Sequence, residues 1–210
     1  MAAAAAAMAA EVIERKNHMV SNFIKIDSFL DQPTWDALLS YFKNTAAFRY
    51  GWSSAKTVTE FTHWHLDFLN KPGSNQENHE HILYNSPGYK VIADTWTQLK
   101  SFHLQGHSLV RCYANAHTYG VEGAPHTDGM VDGHFTTIIY VIPNWKTEWA
   151  GETVFFNGAG DITDAILPKP NRMITFDGTQ LHAARSLARI CPDLRITLMF
   201  KTKAPKAAHE

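Results

Sequence analysis

The first half of the chain shows apolar residues at helical spacing in two segments, which predicts two amphipathic helices. Asp31 can cap the first helix, and Pro33 falls within its first turn. The apolar face of this first helix consists of Trp35, Leu38, Leu39 and Phe42. The second helix is predicted from about Gly88 to Leu104. Its apolar face consists of Val91, Ile92, Trp96, Leu99 and Phe102.

The second half has a different pattern, in which short runs rich in Val, Ile, Thr, Phe and Tyr alternate with Gly, Pro, Asn and Asp. This pattern predicts strands separated by turns. The predicted strands are Ser108–Ala114, Thr136–Ile142, Glu152–Phe156, Arg172–Phe176 and Arg195–Lys201. Short strands at this spacing are typical of an all-β sandwich or jelly roll, and we expect the helices of the first half to pack on its outer face.

A polar segment from Lys71 to Ser86 separates the two predicted helices and contains Pro, Gly, Ser and several Asn. It predicts a long surface loop, which can serve as a lid. The chain shows no internal repeat and no linker, and its length of 210 residues suits one domain, 1–210. We interpret the alanine-rich residues 1–20 as an N-terminal extension and residues 108–202 as the jelly-roll core.

The composition of the chain limits its possible binding partners and its cellular compartment. The formal net charge is -1, so no basic excess predicts binding to nucleic acid. No apolar run approaches the roughly 18 residues that a membrane-spanning helix needs. The N-terminus lacks the features of a secretory signal, so we predict a cytoplasmic protein without a membrane partner. Cys112 and Cys191 form no CxxC motif and favour the reduced state, with one disulfide as the open alternative.

An extended stretch contains an H-x-D motif at His126 and Asp128. Residues two apart in an extended chain point to the same side, so these two side chains can face one cavity. His182 follows a predicted strand and a Gly-containing turn and can supply a third ligand. Two imidazoles and one carboxylate form the facial triad typical of non-haem Fe(II) oxygenases, which leaves metal positions open for reactants. His117 and His134 are nearby alternatives that we interpret as structural or exposed.

A basic residue on the last predicted strand is the second candidate site feature. Arg195 and Thr197 share one face of that strand. An arginine is costly to bury without an anionic partner, and its fork of donors matches a carboxylate. We therefore predict that Arg195 and Thr197 hold a carboxylate of a co-substrate. Arg185 and Arg189 are alternatives for this role in a less regular segment.

Two tryptophan-containing features allow both a functional and a structural interpretation. If the segment around Trp64 is a strand, His63 and His65 share one face and can line the mouth of a pocket, while Trp64 takes the other face. The alternative is a strand with Trp64 in the core. Trp145 and Trp149 can likewise border the active site or belong to the core.

Several short motifs occur in a definite order across the second half. They are Cys112-Tyr113-Ala114-Asn115, Pro125-His126-Thr127-Asp128, Tyr140-Val141-Ile142-Pro143-Asn144-Trp145, Gly151-Glu152-Thr153, His182 and Arg195. This order resembles the 2-oxoglutarate/Fe(II) dioxygenase superfamily, and within it the prolyl 4-hydroxylase-like branch, from about Ser108 to Lys201. The resemblance implies a double-stranded β-helix (jelly roll) with helices supporting one sheet. It also implies that Tyr113 and Tyr140 contact 2-oxoglutarate.

The resemblance implies Fe(II) as the cofactor, 2-oxoglutarate and O2 as co-substrates, and ascorbate as a reductant. The implied reaction hydroxylates an unactivated C–H bond of an amino acid, peptidyl proline or related small metabolite and releases succinate and CO2. The partner is then a small-molecule or peptide substrate. Halogenases of the family replace the carboxylate ligand with a small residue, whereas Asp128 is intact, so the resemblance favours hydroxylation.

One departure from the family pattern and two other hypotheses stay open. The interval from His182 to Arg195 is a few residues longer than usual and can contain an extra turn at residues 190–193, which leaves the identity of the carboxylate-binding arginine open. A Zn-dependent cupin-type hydrolase or isomerase can use the same three ligands. A non-catalytic cupin-like binding module can contain them for structural reasons alone.

Overall fold

The computed structural model describes residues 23–53, 61–69, 78–129 and 133–205. Within these ranges the strands are β1 (Phe23–Ile26), β2 (Arg49–Ser53), β3 (Thr62–Leu69), β4 (Ser108–His117), β5 (His134–Tyr140), β6 (Thr153–Phe156), β7 (Ile162–Ile166), β8 (Met173–Asp177), β9 (His182–Ala184) and β10 (Arg195–Lys203). They form two antiparallel sheets, ordered β1-β8-β5-β10-β4-β3-β2 and β7-β6-β9. The predicted mainly β fold is therefore confirmed.

Helices cover one face of the larger sheet. Those in the described residues are α1 (Gln32–Asn44), α2 (Glu80–Asn85) and α3 (Lys90–His103). Asp31 caps α1, as predicted, because its side chain accepts a hydrogen bond from the Thr34 backbone N–H at 2.8 Å. Trp96 of α3 is fully buried and stacks on Phe200 of β10, with ring centroids 5.8 Å apart. The two predicted helices and their packing on the outer face of the sheet are confirmed.

Strand β10 lies at the centre of the larger sheet, between β4 and β5. Thr197 of β10 pairs with Asn115 of β4 and with Tyr140 of β5. Because successive side chains of a strand alternate between faces, Leu198 and Phe200 join the core beneath the helices. The odd-numbered residues of β10, including Thr197, point the other way, toward the smaller sheet. This alternation separates the core side of the strand from the side that lines the candidate site.

The prediction of a surface loop between the two helices is wrong for the second half of that segment. Residues Glu80–Asn85 form α2, and Leu83 of this helix is fully buried in the core. Glu80 also accepts a hydrogen bond from Trp96 Nε1 at 2.9 Å. A helix this short has no long periodic pattern, so the polar composition of the segment concealed its one buried leucine. Residues 71–77, which complete the predicted lid, lie outside the described residues.

The five strands predicted in the second half are confirmed, and their ends shift by up to three residues. The sequence pattern missed β1, β2, β7 and β9, each of which lies at an edge of its sheet. Edge strands bury fewer side chains, and in β2 all residues but the last are exposed. Strand β9 is only 3 residues long. Neither situation produces the apolar alternation from which strands are predicted.

Three further expectations concern the ends of the chain, membranes and the thiols. The N-terminal extension, residues 1–20, lies outside the described residues. No helix in the described part of the chain is long and apolar enough to cross a membrane. Cys112 is buried, Cys191 is partly buried, and both thiols are free. The two cysteines therefore form no disulfide with each other in this structure.

Candidate active site

The side chains of His126, Asp128 and His182 converge between the two sheets. His126 and His182 are joined by a pair of backbone hydrogen bonds, each 3.0 Å long. The backbone N–H of Asp128 donates to the carbonyl oxygen of Gly178 at 2.8 Å, which positions the carboxylate beside them. One ligand atom from each of the three side chains lies within 4.8 Å of the other two. The structure therefore brings together the three residues that the sequence predicts as ligands.

Both imidazoles are oriented with Nε2 toward Asp128. His126 Nδ1 lies 2.8 Å from the carbonyl oxygen of Ala124, and His182 Nδ1 lies 2.9 Å from that of Gln180. A carbonyl oxygen only accepts hydrogen bonds, so each Nδ1 carries the proton and each Nε2 presents a lone pair. These Nε2 atoms lie 3.4 and 3.3 Å from the two Asp128 oxygens. Acceptors that face one another at these distances fit a divalent cation.

The protonation states of Asp128 and His182 suit metal binding. Burial acts to raise the pKa of Asp128, but the charge of Lys201 and the neighbouring His182 and His126 hold this pKa well below its ordinary value. Burial lowers the pKa of His182 to about 4, so its ring is neutral near pH 7. Metal ligands must be deprotonated, and both groups meet this condition.

Two side chains of the larger sheet hold the second carboxylate oxygen of Asp128. Thr136 Oγ1 donates a hydrogen bond to Asp128 Oδ2 at 2.7 Å. Lys201 Nζ contacts the same oxygen and donates to Thr136 Oγ1 at 2.9 Å. The sequence-based prediction missed both residues. The available signal was Lys201, a lysine in an apolar strand on the same face as Arg195.

Arg195 lies deep inside the fold, with 1% of its surface exposed. Its Nε donates to the carbonyl oxygen of Gly151 at 2.6 Å, and a terminal nitrogen donates to Thr153 Oγ1 at 2.8 Å. The guanidinium carbon lies 5.3 Å from the centre of the Tyr140 ring. Within the described ranges, no acidic side chain forms an ion pair with this arginine. A buried arginine without a carboxylate partner indicates a site for an anionic ligand.

One cavity connects Arg195 with the triad. Its lining includes the two triad imidazoles, Arg195, Tyr113 and Thr197. Tyr140 is not among the lining residues; its ring lies against the Arg195 guanidinium, and its hydroxyl is 2.7 Å from Thr153 Oγ1. Burial raises the pKa of Tyr113 and of Tyr140 above the ordinary value, so both phenols stay protonated and can donate hydrogen bonds. The cavity therefore offers donors for an acidic ligand near the candidate metal site.

Comparison with known proteins indicates the family of the strand-rich half. Residues 110–200, which are 91 of the 210 residues, match the sequence model described as the 2OG-Fe(II) oxygenase superfamily. Over this segment the chain is similar to that superfamily. Oxygenases of the superfamily use Fe(II), 2-oxoglutarate and O2. This similarity favours the oxygenase hypothesis over the zinc hydrolase and the non-catalytic binding module. The search of curated proteins finds no match.

Solved structures of other oxygenases have a similar fold. A 2OG-Fe(II) oxygenase family oxidoreductase from Burkholderia pseudomallei matches 92% of this chain and 90% of its own, with a TM-score of 0.65 and 13% identity. A prolyl hydroxylase from Trichoplax adhaerens, in complex with a hypoxia inducible factor peptide fragment, matches 91% and 87%, with a TM-score of 0.64 and 14% identity. HygX from Streptomyces hygroscopicus, with nickel and 2-oxoglutarate bound, matches 92% and 87%, with a TM-score of 0.60 and 10% identity. These similarities confirm the predicted jelly-roll fold.

Three histidines form a buried wall beside the cavity of this oxygenase. His63 and His65 share the inward face of β3, whereas Trp64 is 37% exposed, so the interpretation of Trp64 as a core residue is wrong. His63 stacks on His117 with ring centroids 5.0 Å apart, and His65 Nδ1 lies 2.7 Å from Asn115 Oδ1. His117 lines the cavity and is not exposed. Burial lowers the pKa of His63 to about 4 and that of His117 well below its ordinary value, so both rings are neutral.

The alternative arginines of the oxygenase lie on its surface. Arg185 and Arg189 are both exposed, and Arg189 lies in the turn that lengthens the interval before β10. Trp145 and Arg195 both lie close to Gly151, since a Cβ added at this glycine would be 3.3 Å from Trp145 Cζ2 and 3.2 Å from Arg195 Cδ, but Trp145 is not among the residues that line the cavity. Trp149 is buried and packs edge-on against Trp145, with ring centroids 5.4 Å apart. Among the arginines proposed from the sequence, the structure therefore places only Arg195 in the cavity.

Proposed function

We propose that this oxygenase hydroxylates an unactivated C–H bond of an amino acid, peptidyl proline or related small metabolite and releases succinate and CO2. In this proposal His126, Asp128 and His182 are the ligands of Fe(II). The residues proposed to contact 2-oxoglutarate are Arg195, Thr197, Tyr113 and Tyr140. Arg195 binds the distal carboxylate, because its fork of donors can pair with both oxygens.

The observation that carries the proposal is the position of Arg195. This buried cation forms no ion pair with an acidic side chain within the described ranges, and it shares a cavity with His126 and His182. 2-Oxoglutarate has an acidic group at each end. One molecule can therefore approach the candidate metal site with one end and neutralise the arginine with the other.

The residues of the chain orient the reactants. Bound Fe(II) supplies the redox chemistry with O2 and 2-oxoglutarate. The carbonyl oxygens of Ala124 and Gln180 hold the two imidazoles in the ligating tautomer. Thr136 holds one oxygen of Asp128 and leaves the other toward His126.

Two features support hydroxylation of an amino-acid-like or peptidyl substrate. Asp128 is a carboxylate, whereas family halogenases have a small residue at this position. The Trichoplax prolyl hydroxylase, which has a similar fold, binds a peptide. A peptidyl or free amino acid is therefore the first substrate class to assay, although a fold by itself does not specify a substrate.

The experiment is a succinate assay with Fe(II), ascorbate and 2-oxoglutarate, screened over proline peptides and free amino acids. We expect succinate formation in the wild type and its loss in Asp128→Ala. Arg195→Met should weaken 2-oxoglutarate binding about 10- to 100-fold, because it removes charge-assisted hydrogen bonds to a carboxylate. Arg185→Met makes the same substitution at an exposed arginine outside the cavity and is the matched control.

Two results would contradict the proposal in different ways. Absence of succinate together with zinc-dependent hydrolysis would support the hydrolase hypothesis. An Arg195→Met variant that binds 2-oxoglutarate as tightly as the Arg185→Met control would refute the role of Arg195 while leaving the triad untouched. Metal retention, measured on the same samples, tests the triad separately.

A further inference from the structure

A second cavity adjoins Asp128, and it shares no lining residue with the cavity that contains Arg195. Its polar lining residues are Arg111, Lys201, His134, Thr136, Thr202 and Asp128 itself. The lining thus contains two cationic side chains and one carboxylate. That carboxylate is a proposed metal ligand, so it is not available solely to balance the cations.

The two cations are held side by side. Arg111 of β4 and Lys201 of β10 are directly paired across the two strands. The ring of Tyr113 supports both, with the guanidinium carbon of Arg111 4.8 Å and Nζ of Lys201 5.8 Å from its centre. Lys201 is 9% exposed, so its charge lies inside the protein. Strand register and one aromatic ring therefore hold Arg111 and Lys201 together, and we call this pair the cationic corner.

The hydrogen-bonding capacity of this corner is unfilled. Arg111 Nε and His134 Nε2 are both buried atoms without a hydrogen-bond partner in the structure. Within the described ranges, no acidic side chain pairs with Arg111. Buried polar atoms of native proteins nearly always have partners, so these two atoms are available to a ligand that enters the cavity. His134, which the sequence suggested to be structural or exposed, lines the cavity instead.

The charge balance favours an anion. Lys201 contacts Asp128 Oδ2, and this contact is the main compensation for its burial. A divalent cation held by the triad uses the charge of Asp128 and adds positive charge beside Lys201 and Arg111. Buried cations without a counter-charge are costly, so an anionic group in the second cavity stabilises the metal-bound protein.

We propose that this second cavity binds a carboxylate group of the primary substrate through Arg111, Lys201 and His134. The inference rests on the proposed function, because it names the substrate class of the same active site. 2-Oxoglutarate is assigned to the cavity of Arg195. The substrate carboxylate then binds on the Asp128 side of the metal site, which selects acidic substrates over their amides or esters.

The test uses trifluoroacetate as the probe and fluorine NMR as the readout. The protein is loaded with Mn(II) and saturated with 2-oxoglutarate, and the enhanced fluorine relaxation near Mn(II) reports binding. We expect saturable enhancement in the wild type, with affinity about tenfold weaker in Arg111→Met and in Lys201→Met. Lys90→Met, at a side chain that is 79% exposed, is the matched control and should bind as the wild type does. Neutral trifluoroacetamide should show no saturable binding.

The outcomes separate this inference from the proposed function. Equal affinity in all variants, or equal binding of the amide, overturns the carboxylate site. The titration is repeated without 2-oxoglutarate, and trifluoroacetate binding that is seen there but lost on adding 2-oxoglutarate also overturns the inference, because the cavity would then be the co-substrate site. If Lys201→Met loses metal, Arg111→Met decides, since Arg111 forms no ion pair with the triad in the described residues. Saturable trifluoroacetate binding without any 2-oxoglutarate binding would support this site and refute the proposed function.

Discussion

Arg195 Nε donates a 2.6 Å hydrogen bond to the backbone carbonyl of Gly151, and a side chain on this glycine would crowd the arginine. A Cβ at residue 151 would lie 3.2 Å from Arg195 Cδ and 3.3 Å from Trp145 Cζ2. Gly151 also has a φ of +79°, in the left-handed region that favours glycine. The absence of a side chain therefore lets the backbone contact the buried guanidinium directly.

We expect Gly151→Ala to weaken 2-oxoglutarate binding about tenfold, because the added methyl group displaces Arg195 from its position against the backbone. Metal affinity should not change. Gly120→Ala is the matched control, since Gly120 has a φ of +75° and a methyl group added there would have no neighbouring atom within 4 Å. Calorimetric titration of both variants with 2-oxoglutarate is the measurement. An equal loss in the two variants would mean that backbone strain alone explains the effect.

Thr136→Val should weaken divalent metal binding about tenfold or more, because the hydroxyl that holds Asp128 Oδ2 is lost. Competition with a chromophoric chelator measures the dissociation constant. Thr137→Val is the control on the same strand, since its hydroxyl lies 2.7 Å from Thr175 Oγ1 on the opposite side of the sheet. Both variants lose one buried hydroxyl. Unchanged metal affinity in Thr136→Val would show that Asp128 needs no support from this residue.

The pH dependence of stability should include a contribution from His103. Burial, with a smaller effect of the charge of His107, lowers the pKa of His103 from 6.5 to about 4 in the folded protein. The unfolded chain binds the proton more tightly, so stability is fully present above the unfolded pKa. It decreases as the pH falls between these two values, by up to about 1.4 kcal/mol per pH unit.

His103→Gln removes this titration and can keep a hydrogen bond to Thr175 Oγ1, which lies 3.0 Å from His103 Nε2. The free energy of unfolding is measured with urea from about pH 7.5 to pH 5. We expect it to fall less steeply with decreasing pH in this variant, and near pH 5 the difference in slope should correspond to about one proton taken up on unfolding. His81→Gln, at an exposed histidine of α2, serves as the reference. Identical slopes for the wild type and His103→Gln would contradict the assignment of a lowered pKa.

Local geometry explains which site residues could be predicted. The directions of His126 and Asp128 follow from the alternation of side chains in an extended chain, which a spacing of two residues reveals. Arg195 and Thr197 follow from the same alternation, together with the cost of burying an arginine in an apolar strand. The structure places all four side chains around one site, and their individual roles stay predictions.

Contacts across strands explain what could not be predicted. Lys201 is paired with Arg111 on one side and with Thr136 on the other, so β10 brings together residues that are far apart in the sequence. Arg111 and Thr136 look like ordinary strand residues in the printed sequence, and only Lys201 gives a signal, as a lysine in an apolar strand. The cationic corner and the support for Asp128 exist only when the register of β4, β10 and β5 is known.

The periodicities of the chain determined the central strands, the two longer helices and the faces on which the candidate ligands lie. These features depend on backbone geometry over a few residues, and each is present in the local sequence. The tertiary structure decided which cations share a cavity, which tautomer each imidazole adopts, and which arginine is buried without a carboxylate. Those properties depend on strand register, and register is set by burial over the whole sheet, which no single segment encodes.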